Sequence, residues 1–240
     1  MSTPQALEVE DVAVYYGGVK AVDGVTFTVA SGEIRGLIGP NGAGKSTVID
    51  AITGRRKPTR GRVRLQGEDV TGLGVIERRQ RGLARSFQRT SIFAEMTVGA
   101  QVELAARKVG ATDWKANAHE VLRQLDLLEL HGWMADELGY GQQRRLDLAL
   151  ALVGRPSLLL LDEPMAGLSS QESEQLAEHL QQLTSSWNVG VLLVEHDMDV
   201  VFGISDSVTV FELGQVIASG DPAEVRAHPR VRQAYLGSAA

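Results

Sequence analysis

The sequence predicts an α/β fold with a run of helices inserted near its middle, and three observations carry that prediction. Continuous apolar runs of strand length recur at 34–38, 157–163 and 188–197, as expected for parallel strands buried on both faces. A glycine-rich turn that opens a helix follows the first of them. Between about 95 and 153 the apolar residues return every third or fourth position, the period of helices packed by one face.

Taken in order, Val25, Phe27 and Val29 alternate with polar neighbours, which is the period of a half-buried strand. Ile34 to Ile38 then forms a short apolar strand, and a helix is expected from about Lys45. Residues 61–71, "GRVRLQGEDVT", read as short extended pieces joined by glycine. In the helical stretch, "WKANAHEVLRQLDLLEL" and "QQRRLDLALALV" both carry helical spacing, for example at Leu146, Ala149, Leu150 and Val153. After Pro156 the strands resume as "SLLLLDE" and "NVGVLLVEHD", with the helix "SSQESEQLAEHLQQLTSS" between them. No internal repeat, low-complexity segment or linker interrupts the chain, so 1–240 is read as one domain.

Composition narrows the function classes. With 240 residues and 43% hydrophobic content the chain can bury a sizeable core. The net charge of −6 and the lack of a long basic run argue against a nucleic-acid partner. Cysteine is absent, which excludes a disulfide scaffold and a cysteine zinc site. The opening "MSTPQALEVEDVAV" has neither a basic start nor an apolar core, so no secretory signal is read there. Stretches such as "LDLALALVG" and "VGVLLV" fall well short of the ~20 residues of a spanning helix. The chain is therefore expected in the cytoplasm, with any membrane role supplied by a partner.

The strongest chemical signal is "GPNGAGKS", Gly39 to Ser46, which fits G-x-x-x-x-G-K-[ST] between a strand and a helix. Glycines let the backbone curl so that N–H groups face phosphate oxygens, and the helix N-terminus adds positive dipole. Lys45 is expected to neutralise β and γ phosphates, and the Ser46 hydroxyl to ligate Mg2+. A second signal is "LLLLDEPMAGLS", residues 158–169. The carboxyl ends of parallel strands converge on one crevice, which would bring Asp162 and Glu163 beside the phosphates. Asp162 is read as a magnesium ligand through the metal's water shell. Glu163 is read as the base that polarises water for in-line attack on the γ-phosphate.

These motifs resemble the ATP-binding subunits of ABC transporters, over nearly the whole chain. "LGYGQQRRLDLALAL", 138–152, looks like the ABC signature; "RSFQ" places Gln88 at the glutamine loop, and "LLVEHD" places His196 at the switch histidine. Tyr16 in "YYGG" matches the aromatic that stacks on adenine. The resemblance implies a P-loop NTPase core (1–87 and 154–240), an antiparallel β portion at the N-terminus and an inserted helical subdomain (88–153). It implies ATP and Mg2+ as cofactors, with Gly39, Pro40, Asn41, Gly42, Ala43, Gly44, Lys45, Ser46, Thr47 and Tyr16 on the nucleotide. Glu163, His196 and Gln88 would be catalytic, and Ser46, Gln88 and Asp162 would face the metal.

It further implies that two cassettes close head to tail, so that Gly139, Tyr140, Gly141 and Gln142 of one chain meet ATP held by the other, on a helix starting near Gln142. The partners implied are a second ABC ATPase subunit in a heterodimer or homodimer, transmembrane permease subunits and, indirectly, a solute-binding protein, with no nucleic acid. The chain would sit peripherally on the inner face of the membrane. Ile92, Phe93 and Met96 would meet a coupling helix or fill the insertion's core. "LARSFQRTSIFAEMTV", "YGQQRRLDLA", "LVEHDMDVVFGISD" and "VRQAYLG" look like the ATPases of branched-chain amino-acid importers and their urea and amide relatives. The alternatives are the ATPase of a lipopolysaccharide exporter and a weakly hydrolysing, ATP-gated module. The last is raised by Gly139 in place of the signature serine and Ser169 where most cassettes carry aspartate.

Overall fold

A computed structural model describes residues 4–86 and 90–235. The N-terminal strands β1 (Gln5–Tyr16) and β2 (Val19–Ala30) pair antiparallel. With β4 (Arg60–Leu65) and β5 (Glu68–Asp69) they form a four-stranded antiparallel sheet in the order β2-β1-β4-β5. The alternation at Val25, Phe27 and Val29 buries these residues against the main body.

The second sheet has six strands in the order β10-β9-β3-β8-β7-β6. They are β3 (Ile34–Ile38), β6 (Leu83–Ser86), β7 (Leu158–Asp162), β8 (Gly190–Val194), β9 (Ser207–Glu212) and β10 (Gln215–Gly220). All neighbours run parallel except the β9–β10 pair. The four leucines of β7 explain their own run: Leu158 and Leu160 enter the core shared with the antiparallel sheet, while Leu159 and Leu161 enter the core shared with the helices. Residues of one strand face opposite sides in turn, so a sheet covered on both faces needs apolar residues at every position. Leu192 and Val194 of β8 divide from Val191 and Leu193 in the same way.

Helix α1 (Lys45–Thr53) follows β3, and α2 (Val75–Gln80) precedes β6. Three helices, α3 (Val98–Lys108), α4 (Trp114–Gln124) and α5 (Tyr140–Leu152), lie between β6 and β7. Their buried residues, among them Val102, Val121, Leu122, Leu146 and Leu152, join the core on one face of the six-stranded sheet. Of the helically spaced positions on α5, Leu146, Ala149 and the C-terminal Val153 are buried, and Leu150 packs at the margin. Helices α6 (Ser170–Trp187), α7 (Met198–Ile204), α8 (Pro222–Ala227) and α9 (Pro229–Tyr235) complete the chain. Val201, Val225 and Val231 close a third small core with Ile38, Val208 and Val210.

Sheet register fixes where the chemistry collects. Asp162 pairs with Val194, and Val194 pairs with Leu37. The residues that leave β3, β7 and β8 therefore emerge side by side at one edge.

Candidate functional site

At that edge the loop after β3 curls around its own lysine. Lys45 is buried and donates through Nζ to the carbonyl oxygens of Gly39 and Pro40. The Ala43 N–H donates to the Pro40 carbonyl at 3.1 Å, and the Val48 N–H donates to that of Gly44 at 2.9 Å. Gly44 has φ of 103°, and a Cβ there would come 2.6 Å from the Ala21 carbonyl oxygen. Only glycine allows that turn at that distance. Burial lowers the pKa of Lys45, against which the charges of Glu163 and Asp162 raise it.

The cavity beside this loop measures about 240 Å³ and is lined by Asn41 to Thr47 together with Asp162, Glu163 and His196. Gly39 and Pro40 form the root of the loop. Asp162 has one carboxylate oxygen on Arg85 Nη2 at 2.9 Å, and Arg85 also reaches Asp50 at 3.5 Å. His196 Nε2 stands 2.6 Å from Glu163 Oε1. A larger cavity of about 560 Å³ opens behind Glu163 and His196 between α6 and α7, but Glu174, Asp197 and Asp199 line it. Carboxylates repel a polyphosphate, and among the described residues the larger cavity sets five of them with no lysine or arginine, whereas the smaller sets two against Lys45 and a helix N-terminus.

Glu195 is buried next to these groups. Its Oε1 accepts from the Met165 N–H at 2.8 Å and its Oε2 from the His196 N–H at 3.2 Å. Burial raises its pKa, and the two backbone donors act against that rise. The carboxylate thus ties the chain after β7 to the chain after β8.

Residues 139–142 do not line this cavity. They form the start of α5, which begins at Tyr140 rather than near Gln142. The reason is local: Gly139 is the extended residue before the helix, and Gln142 turns its Oε1 back to accept the Gly139 N–H at 2.9 Å. Tyr140 donates through its hydroxyl to the Ala166 carbonyl at 3.1 Å. A Cβ on Gly141 would fall 2.4 Å from Glu172 Oε1. Hydrogen bonds from the Ser169 N–H and hydroxyl hold the Glu172 carboxyl below its usual range. Ser169 is the N-cap of α6, its hydroxyl also accepting from the Glu172 N–H.

Tyr16 lies at the end of β1, outside the cavity lining, 44% exposed, with the Arg56 guanidinium 4.3 Å from its ring centroid. Tyr15 is tied down: its hydroxyl donates to Asp23 at 2.6 Å, and Lys20 lies over its ring. Gln88 lies outside the described residues. Of the three apolar residues near it, Ile92 packs against the helical core, Met96 is half-buried, and Phe93 is 60% exposed. No group of three or more metal-ligating side chains occurs among the described residues.

The ABC transporter family model matches residues 22–166, more than half the chain. This chain belongs to the ABC transporter ATP-binding family. A second model, the branched-chain amino acid ATP-binding cassette transporter, matches residues 215–240. The cassette is 38% identical, over all of both chains, to the high-affinity branched-chain amino acid transport ATP-binding protein BraF of Pseudomonas aeruginosa. It is equally similar over the same span to LivG of Escherichia coli, which bears the same description. Against an ABC-transporter ATP-binding cassette crystallised in its ADP conformation, the TM-score is 0.87 at 30% identity, covering 98% of this chain and 100% of that one. A further cassette, cbiO1 from Clostridium perfringens, gives 0.87 at 27% identity, covering 97% and 96%. As a member of this family the chain is a nucleotide-binding ATPase domain with the α/β architecture expected, and no helix among its described residues is long and apolar enough to cross a membrane.

Arg85, Arg144 and Glu195 are site residues that sequence reasoning passed over. Arg85 is the first residue of the quoted "RSFQ" and Glu195 stands beside His196 in "LLVEHD", so their places in those motifs were a usable signal. Arg144 lies within the signature-like "LGYGQQRRLDLALAL", but beside Arg145 it reads as one more solvated charge.

Proposed function

We propose that this cassette binds MgATP in the cavity formed by Gly39–Thr47, Asp162, Glu163 and His196, and hydrolyses it to drive a membrane importer of branched-chain amino acids or related solutes. The observation that carries the reading is the convergence of the phosphate loop, two carboxylates and a histidine on one cavity. Lys45 moves from the Gly39 and Pro40 carbonyls to the β and γ phosphates. Glu163 accepts a proton from water aimed at the γ-phosphorus, and His196 restrains the Glu163 carboxylate and meets the γ-phosphate. Ser46 and Asp162 line the cavity with oxygen donors of the kind a hard cation takes, so the residues present fit Mg2+. A magnesium ion there would neutralise charge on the β and γ phosphates. Tyr16 offers its ring to the adenine.

Residues 139–142 then serve the nucleotide of a second cassette, because they open a different helix N-terminus from the one at Lys45. Residues 1–87 and 154–240 act as the nucleotide-binding core, and 88–153 as the helical subdomain that meets permease subunits, with Phe93 as one contact. The cassette would thus be held at the inner face of the membrane by its partners, and a solute-binding protein would act through the permease. Likeness over the full length to BraF and LivG, both described as branched-chain amino acid transport proteins, supports import over lipopolysaccharide export.

The test is uptake of radiolabelled leucine by cells carrying the chain with its neighbouring transporter subunits. Lys45→Ala is expected to abolish ATP-dependent uptake and lower ATP affinity by roughly ten- to a hundredfold, since a charge-assisted contact is worth ~1.5–3 kcal/mol. Undiminished uptake would count against the reading.

A further inference from the structure

Helix α5, which presents residues 139–142 at its start, is fastened to the turn that carries Glu163. Arg144 is 2% exposed. Its Nε donates to the Pro164 carbonyl at 2.9 Å and its Nη2 to the Glu163 carbonyl at 2.7 Å. Glu163 itself has φ of 50°, the left-handed region that a residue with a Cβ seldom occupies, so its surroundings must over-determine it. They do so from several sides. The Glu163 N–H donates to the Val194 carbonyl at 2.8 Å, Glu195 takes the Met165 N–H at 2.8 Å, and Arg144 grips the two carbonyls between. One turn further along α5, Asp147 accepts from the Ser86 hydroxyl at 2.6 Å and the Ser91 N–H at 2.8 Å.

A guanidinium buried against carbonyl oxygens is an expensive way to gain stability. What it supplies is geometry, because its rigid planar fork holds two successive carbonyls from two separate nitrogens, where the three donors of a lysine rotate about a single atom. We propose that Arg144 is a positioning residue that sets the backbone of Glu163, and hence the aim of its carboxylate, and makes that aim follow α5. The inference rests on the functional reading above, in which Glu163 is the base and the start of α5 meets the nucleotide of a second cassette. A nucleotide engaged at Gly139 would then be reported to the chain's own Glu163 across little more than one helical turn. The two composite sites of a dimer would be coupled within each chain.

The test uses the full chain in its native complex, with Arg144→Lys, Arg144→Met, Glu163→Gln and the Arg144→Lys/Glu163→Gln double variant. ATP affinity, melting temperature, kcat and KM, and single-turnover hydrolysis are measured for each. Arg144→Lys is expected to lower kcat by about tenfold or more with KM for ATP within about twofold. Arg144→Met should be as slow or slower. In the Glu163→Gln background, Arg144→Lys should cause no further loss, because a group acting through Glu163 has nothing left to act on. Arg144→Lys at the wild-type rate while Glu163→Gln is inert overturns this proposal alone. Loss of fold or of ATP affinity in both arginine variants also overturns it, as does a loss that multiplies in the double variant. If Glu163→Gln keeps hydrolysing, the underlying reading fails, and this proposal fails with it.

Discussion

His196 Nε2 lies 2.6 Å from Glu163 Oε1, joining the chain that leaves β8 to the chain that leaves β7. Because both side chains line the phosphate-loop cavity, the contact fixes which way the carboxylate points before any nucleotide enters. His196→Ala should therefore slow hydrolysis by roughly a hundredfold, at the low end for a positioned acid–base group, a larger loss than the one in ATP affinity that follows from its lost γ-phosphate contact. Residues in direct contact are not independent. The double variant with Glu163→Gln should be no slower than the slower single variant, and multiplied losses in single-turnover kinetics would show the contact to be incidental.

Adenine recognition separates two adjacent rings. The hydroxyl of Tyr15 and its neighbours Asp23 and Lys20 hold that ring in a local cluster, whereas Tyr16 is exposed at the end of β1. Tyr16→Phe should be nearly silent, and Tyr16→Ala should weaken ATP binding by about 1–3 kcal/mol, by analogy with aromatic stacking on bases. Equilibrium binding of a fluorescent ATP analogue measures both. A silent Tyr16→Ala with a damaging Tyr15→Ala would assign the stacking to the other ring.

Gly139 has φ of −63° and ψ of 158°, extended backbone that any residue adopts. Among the described residues, a Cβ there would meet only Gln142 Oε1, at 3.7 Å. Serine therefore fits without strain, and its hydroxyl could donate to an anionic phosphate oxygen where glycine cannot. Such a bond is worth ~1.5–3 kcal/mol. In a heterodimer, Gly139→Ser should raise hydrolysis at the partner's site, and disabling Lys45 here should harm coupled hydrolysis more than disabling the partner's equivalent lysine. In a homodimer both sites should speed up. Site-resolved hydrolysis with one phosphate-loop lysine disabled at a time distinguishes the two. Equal damage from the two lysine changes, with no gain from serine, would make the glycine neutral.

Much of this site was legible because its parts obey local rules. The bounds of β3 and the start of α1 follow from an apolar run meeting a glycine-rich turn, and the four leucines of β7 follow from a sheet covered on both faces. The start of α5 was misplaced because the backward turn of the Gln142 side chain leaves no trace in hydrophobic period. The roles of Arg144, Asp147 and Glu195 were hidden for a deeper reason. Each bonds to groups far along the chain, and mostly to main-chain atoms, which every sequence supplies alike. Spacing shows which face of a helix is buried, but not that a buried arginine finds two carbonyls waiting.

The central claim is that Glu163 is the base for attack on ATP held by the loop around Lys45. Its most direct measurement is single-turnover hydrolysis of radiolabelled ATP by Glu163→Gln in the assembled complex, beside ATP affinity for the same protein. Lys45 and Asp162 remain in place, so affinity should stay within about threefold, and the rate should fall by at least a hundredfold, the lower range for a lost general base. A rate within a factor of about two of the wild type, with affinity unchanged, would contradict the account.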